Sequence, residues 1–212
     1  MKKKITIYGA GGLGREVLSL LNALPAWEVT GFYDDGKTKG AMVSGVQVLG
    51  AMSELIQSSA DTQVVVAIGN SGHKKRVAEM LMTNPFIQFP TLIHPAAVIQ
   101  DASVSIGNGS IITAGVILTT GITLGSHVLV NLNATVGHDV QIGSFSSIMP
   151  GVNIAGNVTV GEAVLIGSGA NILNGLHLGD HSRIGAGAVV TKNVEPNNTV
   201  VGVPARVLNL NP

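Results

Sequence analysis

A histidine and an aspartate stand next to each other at His138 and Asp139. Imidazole is largely neutral in the cell, so it can take a proton from an amine or a hydroxyl that attacks a carbonyl carbon. A neighbouring carboxylate can orient the ring and stabilise its charged form. The pair therefore predicts general-base chemistry with His138 as the base. A turn histidine whose ring is satisfied by backbone groups is the structural alternative.

A second candidate site lies near the N-terminus, where glycines occupy positions 9, 11, 12 and 14. Glycines let a backbone approach a phosphate closely, and the N-terminus of the helix that follows favours anions. Asp34 and Asp35 come directly after the next predicted strand, where a dinucleotide site needs an acidic residue. The segment predicts a ligand with phosphate groups. A tight turn without a ligand is the structural alternative, and NAD is the rival ligand.

The elements around these glycines are predicted to form one small α/β unit. Strands are predicted over residues 5–8, 27–33 and 63–68, with helices after the first strand, over about 53–58 and over about 74–82. Strands that alternate with helices predict a parallel, Rossmann-like sheet. A unit of about 90 residues with three or four strands is small for the usual double dinucleotide-binding fold, which disfavours NAD.

From about residue 95 the sequence repeats with a period of six residues. Fifteen successive sixth positions are aliphatic: Ile106, Ile112, Leu118, Leu124, Val130, Val136, Ile142, Ile148, Ile154, Val160, Ile166, Ile172, Leu178, Ile184 and Val190. Three six-residue sides make one turn of a triangular coil, so the repeats predict five turns of a parallel β-helix. Glycine often follows the aliphatic position, where we expect tight turns. The predicted domains are residues 1–90 and 91–212.

The composition limits the classes of function. Of 212 residues, 45% are hydrophobic, only 11% are charged and 3% are aromatic, which suits stacked β-structure. A formal net charge of zero gives no sign of nucleic-acid binding. The absence of cysteine excludes disulfides and thiolate chemistry. No apolar run of ~18 residues predicts a membrane span, so we expect a cytoplasmic protein.

The whole chain resembles the bacterial hexapeptide-repeat sugar acetyltransferases, the group of sialic-acid O-acetyltransferases and nucleotide-amino-sugar N-acetyltransferases. The markers of this resemblance are YGAGGLGR from Tyr8, FYDD from Phe32, AIGN from Ala67, LIHP from Leu92, NLNATVGHD from Asn131, AGNV from Ala155 and VGVPAR from Val201. The resemblance implies a left-handed β-helix, a homotrimer with active sites between subunits, and acetyl-CoA as cosubstrate.

The resemblance also assigns roles to residues. His138 is the general base and Asp139 raises its basicity. The acetyl-CoA contacts are Asn131, Ser147, Gly156, Ser168 and Ala186. The nucleotide-sugar contacts are Gly11, Gly12, Leu13, Asp34, Asp35 and Gly69. Ser147 and Leu13 depart from the family pattern, because relatives commonly carry histidine at both positions.

The spacing of the repeat supports the acetyl-CoA site independently. Gly156 lies one coil beyond His138, and Met149, Gly167 and Gly185 follow Asn131 at the same interval. Small residues stacked above the His138 corner predict a groove for a slender thioester arm. Metal is not predicted, because His127 and His181 share a side of the coil but lie three turns apart, too far for one zinc ion.

The predicted reaction is N-acetylation of a nucleotide-linked deoxy-amino sugar in bacterial surface-glycan synthesis, with UDP as the favoured nucleotide. O-acetylation of sialic acid or another sugar is the alternative within the enzyme class. A β-helical scaffold with a nucleotide-sensing domain and no turnover is the alternative from another class.

Overall fold

A computed structural model of the chain describes residues 1–99 and 101–208. The N-terminal elements are β1 (Lys3–Tyr8), α1 (Gly12–Asn22), β2 (Trp27–Tyr33), β3 (Met42–Val43), β4 (Val46–Gly50), α2 (Met52–Ile56), β5 (Thr62–Val66), α3 (Ser71–Met82) and β6 (Ile87–Gln88). Their sheet has the order β3-β4-β2-β1-β5-β6 and is parallel except for the β3–β4 hairpin.

This sheet confirms the predicted α/β unit and adds to it. The three predicted strands and the three helices are present, whereas β3, β4 and β6 were not predicted; β3 and β6 have only two residues each. The chain leaves β1 toward β2 on one side and later adds β5 on the other side. Such a reversal of strand order opens a crevice at the carboxyl ends of the strands, where open α/β sheets bind ligands.

The second half is a left-handed parallel β-helix with three faces. Its strands are β7 (Leu92–Ile93), β8 (Val98–Ile99), β9 (Ser105–Ile106), β10 (Ile111–Ile112), β11 (Ile117–Leu118), β12 (Thr123–Leu124), β13 (Leu129–Val130), β14 (Thr135–Val136), β15 (Gln141–Ile142), β16 (Ser147–Ile148), β17 (Asn153–Ile154), β18 (Thr159–Val160), β19 (Leu165–Ile166), β20 (Asn171–Ile172), β21 (His177–Leu178), β22 (Arg183–Ile184), β23 (Val189–Val190), β24 (Thr199–Val201) and β25 (Arg206–Val207).

The three sheets of the helix define its geometry. The first face runs from β7 through β10, β13, β16, β19 and β22 to β24, with β25 antiparallel at its end; the second face contains β8, β11, β14, β17, β20 and β23; the third contains β9, β12, β15, β18 and β21. We call the corner between the first and second faces the first edge, and the corner between the second and third faces the second edge.

The predicted six-residue period is confirmed by the packing. Ile112 pairs with Val130, and Val130 pairs with Ile148, so each aliphatic side chain lies over its equivalent on the previous coil in one continuous core. The helix also begins earlier than the counted repeats, at Leu92. Ile111 lies opposite Leu92, whereas the strict period would place it opposite Ile93, so the first coil holds one extra residue.

The tight turns predicted at the glycines after the aliphatic positions are present, because the carbonyl oxygens of Gly143, Gly179 and Gly185 each accept a hydrogen bond from the amide three residues further on. The left-handed backbone conformation occurs two residues further on, as at His127, Asn133, Asp139 and Gly151. The glycines are required for another reason. A Cβ on Gly143 would lie 2.5 Å from the carbonyl carbon of Gly161, so glycine lets one coil approach the next.

The N-terminal unit covers the first face of the β-helix. Leu92, Ile111 and Leu129 belong to the same apolar cluster as Leu18 and Leu21 of α1. Since these side chains share a core, the crevice of the α/β sheet and the coils of the β-helix are held in a defined relation.

Candidate active site

The structure brings the imidazole of His138 and the carboxylate of Asp139 together on the second edge. Nδ1 of His138 lies 2.9 Å from Oδ2 of Asp139, and more than half of each side chain is exposed. Asp139 has φ +58°, a left-handed conformation that aspartate tolerates better than most residues. With Nδ1 engaged by the carboxylate, Nε2 is the ring nitrogen left to accept a proton.

Glycines on both neighbouring coils make room for this pair. A Cβ on Gly156 would lie 2.5 Å from Cε1 of His138, so the ring rests directly over the Gly156 backbone. A Cβ on Gly121 would lie 2.5 Å from Oδ1 of Asp139. Gly156 is therefore beside the candidate base, as predicted, and its lack of a side chain determines where the ring lies.

The second edge continues from the imidazole to a cationic end. On the three coils that follow His138, the equivalent positions are Gly156, Asn174 and Lys192. Lys192 and Arg206 line a cavity of about 220 Å³ formed by the last coil and β25. Strand spacing of about 4.8 Å places Lys192 roughly 14 Å along the edge from His138. Sequence reasoning missed both cations, although counting whole coils from His138 would have found Lys192.

The other predicted acetyl-CoA residues lie elsewhere on the prism. Asn131, Ser168 and Ala186 follow strands of the first face by one or two residues and lie on the first edge. The row of Asn131, Met149, Gly167 and Gly185 is on this edge too, so the predicted groove above the His138 corner is wrong in this part. One side of the prism separates this row from His138, because the chain crosses the second face between them.

The first edge has a cavity of its own, of about 360 Å³. It lies between the N-terminal unit and the coils and is lined by Gly69, Asn70, Met149, Leu165, Gly167 and Ser168. Ser168 therefore faces an open space, as an acetyl-CoA contact requires. Asn131 is 3% exposed, and its Oδ1 accepts a hydrogen bond from the Leu132 amide at 2.8 Å.

Ser147 is the predicted contact that the structure supports least. Its side chain is fully buried beneath α3, where its Oγ accepts a hydrogen bond from Nζ of Lys74 at 2.8 Å. Nζ of Lys74 also donates to the Ser146 carbonyl oxygen at 3.0 Å. In a single chain the Ser147 hydroxyl faces the N-terminal unit, away from open solvent.

Burial changes the ionisation of two side chains at this junction. It lowers the pKa of Lys74 to about 7. Burial, and then the charge of Lys74, lowers the pKa of His127 to about 4. The His127 ring stacks on Phe145 and meets Phe89 edge-on. His127 is thus a neutral core histidine at physiological pH.

All six predicted nucleotide-sugar residues line one cavity of about 410 Å³. It opens at the carboxyl ends of β1, β2 and β5, and its walls include Gly11, Gly12, Leu13, Asp34, Asp35 and Gly69. Sequence reasoning missed His73, in the first turn of α3, which also lines it. Because Gly69 borders this cavity and the first-edge cavity alike, the two spaces meet at the start of α3.

The two aspartates of this cavity also hold the surrounding backbone. Asp34 accepts hydrogen bonds from the amides of Ala10 and Gly36 at 2.7 and 2.8 Å. Asp35 accepts bonds from the Tyr8 hydroxyl and the Met52 amide, both at 2.7 Å. Burial, and then the bond to Asp35, raises the pKa of Tyr8. The carboxylates therefore have a structural role besides any contact with a ligand.

Within residues 1–99 and 101–208, no three histidine, aspartate or glutamate side chains come together in a way that could hold a metal ion. None of the helices described there is long and apolar enough to cross a membrane.

An α/β crevice docked on a parallel β-helix with an imidazole–carboxylate pair defines the class of hexapeptide-repeat transferases. Residues 4–81 match the PglD N-terminal domain, residues 157–192 the bacterial transferase hexapeptide with six repeats, and residues 96–120 the hexapeptide repeat of succinyl-transferase. The chain belongs to the hexapeptide-repeat sugar acetyltransferase family.

Solved structures of this family are similar over nearly the whole chain. The acetyltransferase domain of PglB from Neisseria gonorrhoeae FA1090, in complex with acetyl coenzyme A, is 34% identical, with a TM-score of 0.90 over 98% of this chain and 100% of that one. PerB from Caulobacter crescentus, in complex with CoA and GDP-perosamine, is 29% identical, with a TM-score of 0.89 over 98% of each chain.

A curated relative matches over a shorter stretch. GDP-perosamine N-acetyltransferase from Escherichia coli O157:H7 is 34% identical over 139 residues, which are 64% of this chain and 62% of that enzyme. The match thus spans less than two thirds of the length of that relative.

Proposed function

We propose that this protein transfers the acetyl group of acetyl-CoA to the amino group of a nucleotide-linked deoxy-amino sugar. The observation that carries the proposal is the combination, in one chain, of a strand-end cavity with the predicted nucleotide-sugar residues and an imidazole–carboxylate pair on a hexapeptide β-helix. Relatives named for N-acetylation and for complexes with CoA support the same reaction.

His138 is the proposed base. The neutral amine of the sugar attacks the thioester carbonyl carbon, and Nε2 of His138 takes the proton that the nitrogen loses. Asp139 accepts the hydrogen bond from Nδ1 and stabilises the imidazolium. When the carbon–sulfur bond breaks, the imidazolium returns the proton to the leaving thiolate, so the products are the amide and CoA thiol.

We place the proposed binding site of acetyl-CoA along the second edge. With the thioester at His138, the pantetheine arm extends over Gly156 and Asn174 toward the last coil. There Lys192 and Arg206 supply positive charge for the phosphates of CoA. Ser168 and Ala186, on the first edge, complete the opposite wall only if a second copy of the chain contributes them.

Assembly of three copies satisfies this condition. The second face lies between the two edges, and its outer side carries Val98 and Ile117, which are 45% and 40% exposed, next to a polar ladder of Thr135, Asn153 and Asn171. Three chains with their second faces toward a common axis bring the first edge of each chain beside the second edge of the next. We therefore propose a homotrimer with its active sites between copies.

The identity of the nucleotide is part of the proposal. UDP is favoured by the sequence resemblance, whereas the two relatives named for perosamine act on or bind a GDP-linked sugar. O-acetylation of sialic acid is the second candidate, and the N-acetyltransferase names of relatives favour an amine acceptor over a hydroxyl.

The test is CoA release measured with acetyl-CoA against UDP- and GDP-linked amino sugars and against sialic acid. We expect turnover with a nucleotide-linked amine, and a loss of kcat on the order of 10²- to 10⁴-fold in His138→Ala with CoA binding kept. His181→Ala, an exposed histidine at another corner of the helix, is the matched control and should keep full activity. Turnover with sialic acid alone, or none in the unaltered protein, contradicts the proposal.

A further inference from the structure

We propose that His73 binds the diphosphate of the nucleotide sugar, at the phosphate nearer the sugar. This inference rests on the proposed function and names a residue that neither the glycine motif nor the family resemblance assigned. It starts from the charge of the large strand-end cavity. Two of its lining side chains are carboxylates, Asp34 and Asp35, and among its described lining residues only His73 has a basic side chain.

A diphosphate needs hydrogen-bond donors or positive charge around it. Apart from His73, the donors that this cavity offers to a phosphate are backbone amides. Gly11 and Gly12 offer backbone close to the start of α1, and neither has another atom within 4 Å of the place where a Cβ would stand. Leu13 follows them and has no polar atom in its side chain. Aspartates repel phosphate, so the diphosphate is expected to lie away from Asp34 and Asp35, on the side where His73 stands.

The order of the strands sets the direction of the ligand. Asp34 follows β2, the glycines follow β1, and Gly69 and His73 follow β5, and these three strands are neighbours in the order β2-β1-β5. A nucleotide sugar with its nucleoside at Asp34 and its phosphates over the glycines therefore reaches His73 with its sugar end. The same end leads past Gly69 into the first-edge cavity, which lies beside the second edge of the next copy in the proposed trimer.

The local backbone fixes His73 in this place. Oδ1 of Asn70, the residue that caps α3, accepts the His73 amide at 2.9 Å. One residue further on, Lys74 is buried against the β-helix, so the first turn of α3 cannot rotate freely. His73 is thus presented by a rigid turn, which limits the entropy lost when its ring binds a phosphate.

The test compares the binding of nucleoside diphosphates and monophosphates by calorimetry, with UDP, GDP, UMP and GMP as probes. In His73→Ala we expect affinity for the diphosphate that the unaltered protein binds to fall by about 10-fold or more, because a charge-assisted hydrogen bond is lost. Affinity for the corresponding monophosphate should fall less than about 2-fold. His73→Arg should restore most of the loss, since arginine supplies N–H donors to the phosphate oxygens.

Arg76 provides the matched control, because it is an exposed basic residue on the same helix outside the cavity. Arg76→Ala should bind all four probes as the unaltered protein does. Equal losses for monophosphate and diphosphate, or no loss for either, overturn the inference while leaving the proposed reaction intact. If the unaltered protein binds neither UDP nor GDP, the proposed nucleotide site fails as well, and the two failures are thereby distinguished.

Discussion

The imidazole of the candidate base is placed by residues on neighbouring coils. Its ring lies where a side chain on Gly156 would stand, and the carboxylate of Asp139 lies where one on Gly121 would stand. Each of these glycines is one full coil away in the sequence from the side chain that it admits. The pair therefore depends on coil-to-coil contact as much as on the Asp139 turn.

Replacing Gly156 by alanine should move the ring. We expect Gly156→Ala to lower kcat roughly 100-fold, since a displacement of about 1 Å in a reacting group has that effect. It should also reduce the free energy of unfolding by about 0.5–1.5 kcal/mol, because the new methyl group pushes the exposed imidazole out of its rotamer. Steady-state kinetics and denaturant unfolding measure the two effects.

A double-mutant cycle separates the effect of the contact between residues 156 and 138 from any other effect of alanine on the coil. In a His138→Ala background the ring is gone, so the added methyl group should cost almost no stability. An equal loss of stability in both backgrounds would show that alanine at 156 disturbs the coil itself and that the overlap with His138 is unimportant.

At the scale of elements, α3 is joined to the β-helix by an unusual buried lysine. Lys74 is 2% exposed and donates to Ser146 and Ser147, and no carboxylate in the described part of the chain pairs with it. Lys75 forms an ion pair with Glu162 nearby, on the surface of the same junction. The helix that carries His73 is therefore attached to the coils by a buried lysine and an ion pair, in addition to the apolar cluster that Val77 and Ala78 share with Phe145 and Ala163.

Lys74 should make stability depend on pH. Its pKa is about 7 in the folded chain, below its ordinary 10.5, so between these values the unfolded chain binds more protons. The penalty for burying the charge is full below pH 7 and disappears as the pH rises to 10.5. The free energy of unfolding should consequently rise over this window by up to about 5 kcal/mol, and Lys74→Met should remove the rise.

Lys75→Met is the matched control for this measurement. This substitution removes the adjacent lysine of the same helix together with its ion pair to Glu162. The surroundings of Lys74 stay the same, so the rise in stability between pH 7 and 10 should persist. Denaturant unfolding at several pH values gives the comparison. A Lys74→Met protein whose stability still rises like that of the unaltered chain would refute this role.

The elements were largely predictable because their patterns are local. The hexad spacing from Ile106 to Val190 reports directly on which side chains point inward, and it led to the β-helix. The close approach of coils at the glycines after the aliphatic residues was not predicted, because it depends on the distance between coils. The burial of Ser147 could not be predicted either, since Lys74 is 73 residues away in the sequence and meets it only in the folded chain.

At the scale of the whole molecule, one chain carries its predicted site residues on two different edges. The six residues predicted to contact the nucleotide sugar line one crevice, because glycines and acids at neighbouring strand ends lie together when the sheet is parallel. The acetyl-CoA residues were predicted as one groove, and the structure divides them between the first edge and the second. The period of the sequence determines on which edge of its own chain a residue lies. Which edges of neighbouring copies lie side by side is determined by how the copies assemble.

Disrupting the second face should therefore lower kcat strongly while the binding of nucleotide is kept. We expect Ile117→Glu to change the proposed trimer into monomers and to lower kcat roughly 100-fold or more, because the base and the opposite wall separate. Nucleoside diphosphate binding should persist, since a single chain forms that cavity. Light scattering gives the mass, and CoA release gives the rate.

Thr123→Glu is the matched variant for this experiment. Thr123 occupies the corresponding outward position on the third face and is exposed. It should leave both mass and activity unchanged. An unaltered protein that is an active monomer, or an Ile117→Glu protein that assembles and turns over normally, would exclude sites shared between copies.

The stacking of coils fixes the distances between side chains along the second edge. Between the imidazole of His138 and the ammonium of Lys192 the chain advances by whole turns only, each about 4.8 Å high. The separation between a base and a cation on this edge therefore changes only in steps of one coil. In the proposed complex the length of acetyl-CoA selects the number of these steps, and His138 and Lys192 are three coils apart.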